Sequence, residues 1–157
     1  QMRENNFMAD HLVVTATNMT QAGCDLGSRV LGWPTRIQGI SPVYWEMNIA
    51  EDIARICNRG AEMLDVNLEF NADMINNDNS YVGENYGVPT PAGIEAMKLI
   101  AKKEGIILDP VYTSKAFSAI LDYVKKGIIK KNQNVIFIFT GGGPAVFAYN
   151  EEITTIK

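Results

Sequence analysis

A single histidine, His11, occurs in the 157 residues, so no histidine-based zinc set can be assembled. The two cysteines, Cys24 and Cys57, lie far apart; they define no disulfide framework and are expected on buried helix faces. Cations are not clustered: the net charge is -4, and the densest basic stretch is Lys125, Lys126, Lys130 and Lys131. That stretch brackets a helix end, where cations suit the dipole, so no nucleic-acid partner is expected. No apolar run is long enough to span a membrane, and residues 1–10 are polar and charged. The expectation is a cytoplasmic protein without a membrane partner. The Gly-x-Gly-x-x-Gly turn of dinucleotide-binding modules is missing as well.

What is present suits one globular domain over residues 1–157, with 46% hydrophobic and 20% charged residues. Residues 11–16 are apolar and β-branched and predict a buried strand, with His11 as its surface flank. A helix over residues 20–31 should stop at Gly32-Trp33-Pro34, and residues 35–40 predict a second strand. Ile49, Ile53, Ile56, Gly60 and Met63 form a helical stripe within residues 46–65. Residues 71–91 are a long polar segment read as an ordered loop, since loops of this length are often functional. Thr90 then reads as an N-cap with Pro91 at the first helical position, and Ile94, Met97, Ile100 and Ala101 face inward as far as Gly105. Asp109-Pro110 opens another helix, with Ala116, Ile120, Leu121 and Val124 inward, ending at Gly127. Residues 134–139 form the clearest buried strand and run into Thr140-Gly141-Gly142-Gly143-Pro144 and a last short helix. The fold class is α/β: a three-layer, mostly parallel sheet flanked by helices. Three strands leave open edges, which calls for completion by further polypeptide.

Three places carry chemistry. The turn Ala16-Thr17-Asn18-Met19-Thr20 joins a strand to a helix N-terminus, where backbone N–H groups hold phosphate; without glycines it also reads as a plain connection. The bend Thr140-Gly141-Gly142-Gly143 leaves a strand at its carboxyl end, where open α/β sheets bind ligands. Its three glycines exceed the needs of a turn and admit a flat ligand. Tyr86 and Tyr112 carry phenols that can exchange protons or hold a carboxylate, although spacing alone makes them packing residues.

Three segments together resemble a known family. They are Tyr86-Gly87-Val88-Pro89-Thr90-Pro91-Ala92-Gly93, then Leu108-Asp109-Pro110-Val111-Tyr112-Thr113-Ser114-Lys115, then Phe139-Thr140-Gly141-Gly142-Gly143-Pro144-Ala145. In order and spacing they resemble the C-terminal half of the D-cysteine desulfhydrase and 1-aminocyclopropane-1-carboxylate deaminase family. The resemblance implies a tryptophan-synthase-β-like fold and pyridoxal 5'-phosphate as cofactor. It implies that Tyr86 and Tyr112 face a small amino-acid substrate. Thr140, Gly141 and Gly142 would lie against the cofactor ring, and Thr17, Asn18 and Thr20 would hold the phosphate. The deaminases carry glutamate where this chain has Thr113 and leucine where it has Thr140; both choices match the desulfhydrase branch.

Two departures qualify what is implied. The family's Schiff-base lysine and neighbouring serine belong to its N-terminal half, and no lysine here stands in that motif; Lys115 matches a family lysine that does not form the Schiff base. The chain is therefore expected to be inactive alone and to need a chain carrying the N-terminal half, or a homodimer partner. The family's Gly-Ser-Gly-Gly-Thr phosphate loop is replaced by Ala16-Thr17-Asn18-Met19-Thr20, whose side chains crowd the phosphate and weaken cofactor binding. The rival expectation is a non-catalytic regulatory or binding subunit that keeps the fold.

Overall fold

The computed structural model describes Met2 and residues 4–155. Its elements are β1 (His11–Thr15), α1 (Met19–Val30), β2 (Arg36–Ile40), α2 (Ile49–Met63), β3 (Asn77–Asp78), α3 (Pro91–Glu104), α4 (Thr113–Lys125), β4 (Val135–Ile138) and α5 (Asn150–Thr155). Short 3-10 turns occupy Ala72–Met74 and Gly143–Tyr149. The four strands form one sheet in the order β3-β2-β1-β4, and every pairing is parallel.

Alternation along the strands divides the layers. On β2, Gly39 faces α1: a Cβ built there would lie 1.8 Å from Gln21 Oε1. Its neighbour Ile40 faces the other way and packs with Val13, Ala116, Ala119, Ile120 and Tyr123 beneath α4. Helix α2 lies beside α1 over Ala22, Ile53, Ala54 and Cys57, and α3 lies behind α4 over Ile94, Met97 and Leu108. The result is an α/β fold with a parallel sheet flanked by helices on both faces. Helix ends follow local chemistry. The Thr90 hydroxyl accepts the Gly93 amide at 3.0 Å to open α3, and Gly105 closes it in a left-handed conformation at φ 71°.

Several expectations are corrected. The polar segment contains a fourth strand, β3, which pairs only at Gly39↔Asn77 and Ile40↔Asp78. Two residues give no periodicity to read, and tertiary bonds hold the strand: Gln21 donates to the Asn76 carbonyl at 2.9 Å and accepts from the Asn77 amide at 2.8 Å. His11 is buried rather than a surface flank, with Nε2 3.2 Å from Gln133 Oε1. Cys57 is buried as expected, but Cys24 is only half-buried. Met63 and Val124 point to solvent, as does Ala101, whereas Tyr123 takes an inward place on α4. The final strand is not buried: all four residues of β4 are half-buried, because β4 is an edge of the sheet.

The α1 layer holds one charge in an unfavourable place. Asp25 is buried, its Oδ2 has no hydrogen-bond partner, and burial pushes its carboxyl up to about 7. A carboxyl whose folded value exceeds its unfolded value of 3.8 binds more protons in the folded state between those two pH values. Its contribution is therefore most favourable below pH 4 and is lost as pH rises to about 7. Asp25→Asn is expected to stabilise the chain at pH 8 by about 1–3 kcal/mol, because the amide leaves no charge to bury. Urea unfolding should show this gain vanishing near pH 4; an equal gain at both pH values would mean that charge burial is not its origin.

Candidate active site

All four strands run in the same direction, so the helices that follow β1 and β2 begin at one edge of the sheet. Strands β1 and β4 are neighbours with Val14 opposite Ile138. Two residues further along each lie Ala16 and Thr140. The turn of residues 16–20 and the triple-glycine bend are thus side by side at the carboxyl edge, where Thr17, Thr20 and Thr140 are exposed.

The bend is open. A Cβ on Gly141 or Gly143 would meet nothing within 4 Å, and Gly141 and Gly142 take φ of 100° and 89°. Gly142 alone is pressed against protein: its Cβ would stand 2.9 Å from Cβ of Asp109. Asp109 is fully buried and organises the start of α4. Its carboxyl accepts the Val111, Tyr112 and Thr113 amides at 2.9, 2.7 and 2.8 Å, and the Thr113 hydroxyl at 2.5 Å. These bonds fix Tyr112 beside the bend. They also turn the Thr113 hydroxyl inward, away from any ligand.

Tyr112 meets Tyr86 from the polar segment. The two hydroxyls hydrogen-bond directly, with ring centroids 6.0 Å apart in an edge-on arrangement. A third phenol, which the sequence reading did not single out, arrives from the 3-10 turn after the glycines: Tyr149 Oη would lie 3.8 Å from a Cβ on Gly87. Tyr149 stands nine residues past Thr140 on a turn without amphipathic period, so no local pattern marks it. The hydrogen bond to Tyr86 raises the Tyr112 phenol to about 12, aided by burial and by the charges of Tyr86, Asp109 and Tyr149. Tyr112 accordingly keeps its proton at neutral pH.

The turn of residues 16–20 is differently furnished. Asn18 caps α1 itself, its Oδ1 accepting the Met19 amide at 2.9 Å. Its Nδ2 donates to Asp52 at 3.0 Å, in the first turn of α2. Arg55 at 2.6 Å, and then Asn18, hold the Asp52 carboxyl below its usual range, so it is ionised. The open bend and the phenols fit a flat ring bearing an amino acid. The turn of residues 16–20, with one helix-terminal amide already satisfied and an ionised carboxylate alongside, does not fit a phosphate in this conformation. Among the described residues there is no group of three or more His, Cys, Asp or Glu that could hold a metal ion, and no helix long and apolar enough to cross a membrane.

Parallel α/β layers with an open glycine bend and a bonded phenol pair define a candidate ligand site of the α/β class. The chain belongs to the pyridoxal-phosphate dependent enzyme family, whose model matches residues 4–141. It is 33% identical over 152 residues to a 1-aminocyclopropane-1-carboxylate deaminase of Burkholderia lata, covering 96% of this chain and 45% of that protein. It is likewise 33% identical over 150 residues to the deaminase of Rhizobium rhizogenes, covering 95% and 44%. A crystal structure of an ACC deaminase homologue superimposes with a TM-score of 0.84 at 30% identity, covering 95% of this chain and 44% of that one. The chain thus spans somewhat under half the length of the relatives it matches.

Proposed function

We propose that the chain is the C-terminal, cofactor-binding portion of a two-domain pyridoxal-phosphate-dependent amino-acid lyase of the D-cysteine desulfhydrase type. The reaction would be β-elimination of a small amino acid: for D-cysteine, loss of the α-proton and of sulfide, followed by hydrolysis of the released enamine by water to pyruvate and ammonia. The observation that carries this reading is the directly bonded Tyr86–Tyr112 hydroxyl pair beside the open glycine bend. When bound, the cofactor supplies the electron sink. Tyr112 keeps its proton at neutral pH, so it is suited to donate a proton to substrate or to the departing thiolate rather than to remove one. Thr140, exposed at the bend, would hold the ring through a neutral hydroxyl, and Thr113 would not compete because its hydroxyl is spent on Asp109. No carboxylate takes the place of these threonines, which favours loss of a good leaving group over opening of a strained carbon ring.

An open edge and an apolar groove support a complementary half. Strand β4 is an open edge, and a groove of about 500 Å³ beside it is lined by Ile100, Ile106, Ile107, Phe117, Phe137 and Phe139. A parallel sheet is normally covered on both faces, so a strand and apolar cover from the N-terminal half, or from a partner copy, suit this surface.

The Asn18–Asp52 pair favours a second reading, a non-catalytic subunit that keeps the fold without loading cofactor. Mixing the chain with a polypeptide carrying the N-terminal half separates the two. Visible absorbance of bound cofactor together with sulfide release supports the lyase; tight association without colour supports the subunit. Asp52→Asn is expected to tighten binding of inorganic phosphate about tenfold at low salt, equivalent to about 1.4 kcal/mol. An unchanged affinity, read by calorimetry, would clear Asp52 of obstructing the turn.

A further inference from the structure

Lys115 is the largest side chain in the fully buried interior, 1% exposed, and the reading above gives it no role. Its ammonium donates to two backbone carbonyls of the segment that carries Tyr86: Val82 at 2.6 Å and Asn85 at 3.4 Å. A methionine could fill the same volume without the cost of burying a charge, so packing alone does not require a cation here. The acceptors explain the placement. Val82 is fully buried, and Gly83, at φ 77°, is packed so closely that a Cβ would stand 2.4 Å from the Thr90 methyl. The Gly83 carbonyl also accepts the Tyr44 hydroxyl at 3.1 Å. Asn85 Oδ1 then accepts the Tyr86 amide at 2.8 Å. Lys115 itself lies in the first turn of α4, three residues past Tyr112, the helix's N-cap. One cation thus ties the helix bearing one phenol to the loop bearing the other.

We infer that Lys115 is a positioning residue: its ammonium clamps residues 82–85 onto α4 and so sets the Tyr86 hydroxyl against that of Tyr112. The role rests on the Tyr86–Tyr112 pair being the substrate site, but the clamp is read without cofactor or turnover. Burial lowers the lysine from its ordinary value, while the neighbouring Asp109 charge opposes this.

The test uses the 157-residue chain with labelled tyrosines. In Lys115→Met the cross-peaks between the Tyr86 and Tyr112 rings should disappear, and the Val82 amide should exchange at least about tenfold faster relative to α4. Ser118→Ala is the control. The Ser118 hydroxyl donates to the Lys115 carbonyl at 2.7 Å, so its loss loosens the same helix without touching the ammonium. That variant should keep the ring contact. Persistence of the ring cross-peaks in Lys115→Met, or their loss in Ser118→Ala at similar stability, overturns the inference. Should Lys115→Met fail to fold, exchange in the unaltered chain decides. A Val82 amide protected to within about a hundredfold of Ala119 supports the clamp, and faster exchange overturns it. If instead Tyr112 proves dispensable for turnover in a complete protein, the lyase reading falls while these measurements stand.

Discussion

Tyr112→Phe, placed in a protein that carries both halves, is expected to lower the elimination rate by about 10²- to 10⁴-fold, the range contributed by a positioned proton donor. The fold should hardly notice. Tyr112 is half-buried, its amide is fixed by the Asp109 carboxyl, and phenylalanine keeps both the ring and that amide bond. What it removes is the hydroxyl bonded to Tyr86. Stability should therefore change by less than about 1 kcal/mol, the net value of one exposed hydrogen bond. Tyr86→Phe should cost less in rate, because Tyr112 retains a proton to give. Steady-state sulfide release and urea unfolding, run on the same samples, make the comparison. Equal proportional loss of rate and stability would reduce Tyr112 to a packing residue.

The second large effect concerns stability rather than chemistry. Asp109→Ala is expected to destabilise the chain by about 3–4 kcal/mol, since four donors lose their acceptor in a site closed to water. Asp109→Asn keeps one carbonyl oxygen and should lose about half as much. The alanine variant should also release the first turn of α4, moving Tyr112 and undercutting Gly142, which rests on Asp109. The urea midpoint, with the slope unchanged, is the measurement. A loss below about 1 kcal/mol would mean that water replaces the carboxyl, contrary to its complete burial.

Legibility varied element by element. Helix α3 was readable from Thr90, Pro91 and Gly105, because capping is chemistry between near neighbours. Strand β1 was readable because apolar, β-branched runs have few other uses, and β2 because Gly32-Trp33-Pro34 ends the helix before it. The glycine bend and both tyrosines stood out through the spacing of three motifs. Strand β3 was not readable, because its two residues are held by Gln21 and the edge of β2. Nor was the exposure of β4, whose apolar residues suit an interior strand and whose edge position depends on strand order.

The sequence by itself determined the α/β class, most helix and strand positions, and the residues able to carry chemistry, since each depends on local periodicity, capping or motif. Tertiary structure alone decided which of those residues meet. It joined Tyr86 to Tyr112, brought Tyr149 to them, set Asp52 against the turn of residues 16–20 and gave Lys115 two carbonyls to hold. These are encounters between segments tens of residues apart, fixed by parallel strand order and helix packing, and no local pattern along the chain encodes them.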